Sequence, residues 1–123
     1  MTEKTFSGMA RLVRAFCYSM QGLAAAWRNE AAFRQEIVLA ALILPPGLWF
    51  AANGLERALL AASVIFVLVV ELINSAVEAA IDRISPERHE LSKRAKDLGS
   101  AAVLLALINV WVVWGGIFWP RLF

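Results

Sequence analysis

Three apolar runs, each long enough to cross a bilayer, constrain this chain more than any other feature. The run 37–55, "IVLAALILPPGLWFAANGL", contains no charged residue. As a helix it spans roughly 28 Å at 1.5 Å per residue, close to a hydrocarbon core. The run 58–81 carries only Glu71 and Glu78 as charges, and the run 98–120 carries none. The chain is 60% hydrophobic over 123 residues with a mean hydropathy of +0.64, which leaves too little polar surface for a water-soluble domain of this size. The expectation is a single unit of the all-α integral membrane class.

"ANGLER" is the one break between the first two runs, so they are expected to form a tight helical hairpin. Pro45 and Pro46 should bend the first span, because proline removes a donor and crowds the preceding turn. The basic residues orient the chain. Lys4, Arg11, Arg14, Arg28 and Arg34 precede the first span. Arg83, Arg88, Lys93, Arg94 and Lys96 lie between the second and third. Lys and Arg collect on the cytoplasmic side, which puts the N-terminus inside and the C-terminus outside. Trp49, Trp111, Trp114 and Trp119 then fall toward the outer ends, as an interfacial belt would.

Ahead of the spans, Phe6, Met9, Val13, Phe16, Met20, Leu23 and Trp27 recur at steps of three and four. That pattern marks one apolar helix face and predicts an amphipathic helix lying in the inner interface. The predicted layout is an interfacial helix over about 6–28 and spans over about 35–53, 57–83 and 92–120. A single cysteine, Cys17, excludes an intrachain disulfide and argues against a cysteine metal cluster. "MTEKTFSG" is polar and no cleavable signal is expected there. A net charge of +2 is too small to argue for nucleic acid.

The second span holds the anomaly. Glu71, Asn74, Glu78 and Asp82 are spaced to share one helix face. Glu71 lies roughly 16 Å along the axis from Asp82, so it reaches well into the membrane. An acid near the bilayer centre costs at least ~2.5 kcal/mol, which makes it a functional candidate. Helix-packing glue can be made from Ser, Thr, Asn or Gln without a charge; Asn74 alone would suit that role. Two charged clusters, 28–36 and 82–101, sit at the same surface. Glu30, Glu78 and Asp97 could meet there, and hard oxygen ligands suit Mg²⁺ together with substrate phosphates. Such a site could bring a cytosolic polyphosphate against a membrane-dissolved alcohol. Neither G-x-x-x-x-G-K-[ST] nor a kinase glycine loop is present.

The stretches "NEAAFRQE", "VELINSAVEAAIDR" and "HELSKRAKDLGSAAV" resemble the signature segments of the bacterial membrane diacylglycerol kinase family, and the resemblance covers essentially the whole chain. It implies an inner-membrane homotrimer with sites between subunits, transferring the γ-phosphate of MgATP to diacylglycerol to give phosphatidic acid. It implies Glu71 as general base on the lipid hydroxyl, supported by Asn74, and Glu30 and Glu78 as Mg²⁺ ligands. The implied nucleotide set is Arg11, Tyr18, Glu30, Glu78, Asp82, Glu87, Arg88, His89, Lys96 and Asp97. The implied lipid set is Ser19, Met20, Ala31, Arg34, Gln35, Glu71 and Ser100. The chain departs from the family pattern at Met20 and Gln21, at Pro45–Pro46 and at Arg88. Rival readings are a polyprenol kinase of the same family, a proton-coupled transporter relaying through Glu71 and Glu78, and a non-catalytic packing subunit. The transporter predicts polar residues continuing to the outer side, where the third span offers only Asn109.

Overall fold

The computed structural model describes residues 7–84, 87 and 89–123. Phe6 and Arg88, both singled out above, lie outside the described residues. Among those described there is no strand, and four helices follow one another: α1 (Gly8–Asn29), α2 (Ala31–Phe50), α3 (Gly54–Ile84) and α4 (Glu90–Leu122). By length and composition α2, α3 and α4 can each cross a membrane.

The helix boundaries follow from local chemistry. Ser7 caps α1, its hydroxyl accepting from the Ala10 amide at 3.2 Å. Glu30 is extended, and its amide donates to Ala26 O at 2.9 Å. Arg34 then donates to the carbonyls of Trp27 (2.7 Å) and Arg28 (3.1 Å), satisfying orphan acceptors at the end of α1. Asn53 starts α3 by accepting from the Glu56 amide at 2.9 Å, while Glu56 reaches back to the Ala52 amide at 2.8 Å. His89 caps α4, its Nδ1 accepting from the Leu91 amide at 3.0 Å. Pro45 and Pro46 sit inside α2 without ending it.

α3 is the central element, packed against α2 on one side and α4 on the other. Its buried residues Leu60, Ser63, Val64, Val67 and Glu71 are spaced by three and four, so they form one stripe. Ala40 of α2 and Ala106 of α4 are buried too, and their small side chains let the helices approach closely. α1 packs mainly against α2 and buries only Ala26. Met9, Val13, Phe16, Leu23 and Trp27 are left exposed along it, as are Leu104, Leu105, Trp111 and Val112 along α4.

The bundle has two unlike ends. The hairpin end gathers the close of α2, the start of α3 and the close of α4. The polar end gathers Glu30, the last turns of α3 and the first turns of α4.

Candidate active site

Moving along α3 toward the polar end, four polar residues emerge from the core in sequence. Glu71 is buried at 5% exposure, Asn74 and Glu78 are half-buried, and Asp82 is exposed. The stripe seen in the sequence is therefore a graded series, with its deepest acid continuing the apolar stripe of Leu60, Val64 and Val67.

The neighbouring helices bring partners to that series. Lys96 of α4 donates to Asp82 at 2.8 Å across the α3–α4 contact, and the Glu78 carboxylate lies close enough to act on the same ammonium. The Asn74 amide nitrogen donates to Glu78 Oε1 at 3.5 Å, a long contact within one helix. Asn74 thus engages Glu78 directly, one turn further along the stripe from Glu71. Asp97 pairs with Lys93 one turn away at 2.7 Å and faces water.

Glu36 was missed by sequence reasoning, which took Arg34 and Gln35 from the same stretch. Its carboxyl lies against that of Glu71, close enough to share a hydrogen bond across the α2–α3 contact. Its Oε1 is buried without a hydrogen-bond partner. The signal was helical spacing: Glu36 falls between Phe33 and Ala40, the two residues that α2 buries nearby, whereas Gln35 points away and is exposed. The acids at 36 and 71 thus face each other between α2 and α3, Glu71 buried and Glu36 half-buried.

Glu30, at the α1–α2 junction, lines a groove of about 620 Å³ with Ser19, Asn29, Leu72, Ser75 and Ala79. It therefore runs beside the turn of α3 that carries Glu78. Ala31, at the start of α2, is exposed; Arg34 is half-buried and used at the end of α1. Arg11, Tyr18, Ser19 and Met20 are exposed on α1, and the Ser19 hydroxyl donates to Ala15 O at 2.9 Å. Arg11 and Tyr18 are not brought against α4 within one chain, since α1 packs mainly on α2. Glu87, His89 and Ser100 are exposed at the polar end.

No group of three or more His, Cys, Asp or Glu is poised as a metal cage among the described residues. The chemistry of the donor set still fits a magnesium-type ion. Such an ion takes one or two carboxylates and completes its shell with substrate phosphates and water. Glu30 and Glu78 offer two carboxylates at the polar end.

Fold and site together define a small helical membrane protein whose polar end carries acids and lysines beyond one buried acid, Glu71, and its neighbour Glu36. Residues 17–118 match the family described as prokaryotic diacylglycerol kinase. The chain is 50% identical over 115 residues to a diacylglycerol kinase of Escherichia coli, covering 94% of each chain. It is 47% identical over 111 residues to a diacylglycerol kinase of Pseudomonas aeruginosa, covering 90% of each. A diacylglycerol kinase of Helicobacter pylori is 44% identical over 108 residues, 88% of this chain and 84% of that one. The chain belongs to the prokaryotic diacylglycerol kinase family.

Proposed function

We propose that this protein is a membrane lipid kinase that transfers the γ-phosphate of ATP to the free hydroxyl of diacylglycerol, giving phosphatidic acid. The observation that carries the reading is Glu71. It is a buried acid on the same stripe of α3 as Leu60, Val64 and Val67, yet it heads a graded polar series that leads to Lys96 and the polar end. A membrane-dissolved alcohol can reach such a group from the apolar side and a water-soluble phosphate from the other. Family membership accords with this.

Phosphoryl transfer asks mainly for positioning and charge neutralisation. Glu71 accepts the proton of the lipid hydroxyl as its oxygen bonds to the γ-phosphorus and the bond to the ADP oxygen breaks. Lys96, held by Asp82, and Arg11 offset phosphate charge. Tyr18, Glu87, Arg88, His89 and Asp97 complete the nucleotide side. Ser19, Met20, Ala31, Arg34, Gln35 and Ser100 line the approach of the lipid head group. Glu30 and Glu78 would hold a divalent ion, Mg²⁺ by its preference for carboxylate and phosphate oxygens, which supplies further neutralisation of the phosphates.

In this reading the polar end faces the cytoplasm across the inner membrane, α1 lies in the interface, and the working unit is a homotrimer. The exposed apolar faces of α1 and α4, and the separation of Arg11 and Tyr18 from α4, favour a site completed by a neighbouring subunit. The test is transfer from γ-labelled ATP in mixed micelles, offering diacylglycerol or undecaprenol, with Glu71→Gln as control. Label on diacylglycerol that vanishes in the variant is the expected result. Label on undecaprenol alone would move the protein to the polyprenol branch. No label on either from folded protein would return Glu71 to a relay or packing role.

A further inference from the structure

α3 and α4 come into close contact near the polar end at Asn74 and Gly99. The Asn74 Oδ1 is buried and has no hydrogen-bond partner. It occupies the space that a Cβ on Gly99 would take. Any side chain at position 99 must therefore displace the Asn74 amide. The opposite end of that planar amide is the nitrogen that donates to Glu78 Oε1. Resting the oxygen on the bare helix at Gly99 aims the NH₂ group at Glu78.

We propose that Gly99 is a positioning residue, seating Asn74 so that its amide orients the Glu78 carboxylate toward the divalent ion and phosphate. The proposal rests on Glu78 acting as a metal ligand, as read above. Close helix approach alone does not explain a glycine here. Alanine is small, favours helix over glycine, and already stands at positions 95, 101, 102 and 106 of α4. An interior helix glycine calls for a packing or functional reason, and here the Cβ position is filled by one particular polar atom. Orienting contacts are often long before a ligand is bound, so the 3.5 Å Asn74–Glu78 contact is consistent with an orienting role.

The test compares the full protein with Gly99→Ala, Asn74→Ala, the double variant and Glu78→Gln in mixed micelles. One readout is independent of activity: the side-chain ¹⁵N–¹H₂ resonances of Asn74, assigned by their loss in Asn74→Ala. The expected result is that Gly99→Ala shifts these resonances. It should also raise the half-saturating Mg²⁺ concentration about 10–100-fold, as loss of a group orienting a metal ligand does, while the KM for diacylglycerol stays near that of the unaltered protein. The double variant removes the clash, so it should fold even where Gly99→Ala does not, and it should be no worse than Asn74→Ala alone. Unmoved resonances, an unchanged Mg²⁺ dependence, or losses that multiply in the double variant would overturn the proposal. Shifted resonances together with a Glu78→Gln protein of normal Mg²⁺ dependence would keep the seat and remove the metal-ligand role of Glu78 instead.

Discussion

The two ends of the bundle are built on opposite terms. At the hairpin end the described polar groups are answered. Arg121 holds Glu56 through two contacts of 2.6 and 2.5 Å and donates to Phe50 O at 3.4 Å. Arg57 donates to Leu48 O at 3.1 Å, taking up another orphan carbonyl of α2. Just inside, the Trp114 indole donates to Ser63 Oγ at 3.1 Å, and that hydroxyl donates to Leu60 O at 2.8 Å. Toward the polar end two buried oxygens, on Glu36 and Asn74, have no partner. Buried unpaired polar atoms are costly, and they cluster where a protein keeps groups ready for something it binds. One end is closed, with its described polar groups paired; the other is open, keeping two buried oxygens unpaired, where the proposed chemistry would take place.

The sharpest way to break this comparison is at Glu71. Glu71→Gln keeps the size and removes the proposed base. Turnover should fall by about 10²–10⁴-fold, the usual worth of a general base, with the unfolding midpoint and MgATP binding little changed. Near-normal turnover would make the deep acid structural and erase the contrast between the ends.

Gly47 gives the complementary result. It packs against the Trp114 ring, so an added methyl would land on the indole. Gly47→Ala should lower stability by about 1–3 kcal/mol, as overpacking does, and loosen the Trp114–Ser63 hydrogen bond. In folded protein kcat should hold. A variant that unfolds no more easily, yet loses kcat, would mean the closed end takes part in the reaction.

The open end can also be made to resemble the closed one. Replacing both Glu36 and Glu71 by Leu removes a facing pair of acids and the unpaired Oε1. Stability should rise by about 1–3 kcal/mol, since removing both polar partners also removes a desolvation penalty, and activity should disappear. A fall in the thermal midpoint would show that the carboxyl pair holds α2 to α3.

Much of this contrast was legible in the chain. The apolar runs gave the spans, because backbone groups in lipid force helix over their whole length. The stripe at 71, 74, 78 and 82 was readable because helical spacing is local. Glu36 was not, although its spacing from Phe33 and Ala40 was available. What marks it is contact with Glu71 across two helices, and register between helices is set by packing. Gly99 was hidden for the same reason, since nothing near it in sequence shows that Asn74 occupies its Cβ position. Pro45 and Pro46 mark a bend by local rules, yet α2 continues through them, with Gly47 just beyond packed against Trp114 of α4. Tertiary contact there accommodates a local breaker.

The smallest expected effect sharpens the closed end itself. Arg121→Ala removes the Nη2 contacts to both Glu56 oxygens, the Nη1 donor to Phe50 O and a cation 5.7 Å from the Phe118 ring centre. Exposed ion pairs contribute little, so only the charge-assisted contacts of one guanidinium to two helices argue for any loss. Glu56 keeps its bonds to the Ala52 amide and to the start of α3, so the turn should survive. The expected result is a slight fall in thermal midpoint, reduced further by salt in the unaltered protein but not in the variant, with transfer activity unchanged. Equal salt sensitivity in both would show that the pair contributes nothing. The closure of that end would then rest on Arg57, the Asn53–Glu56 cap and the packing of Trp114 with Ser63 and Gly47.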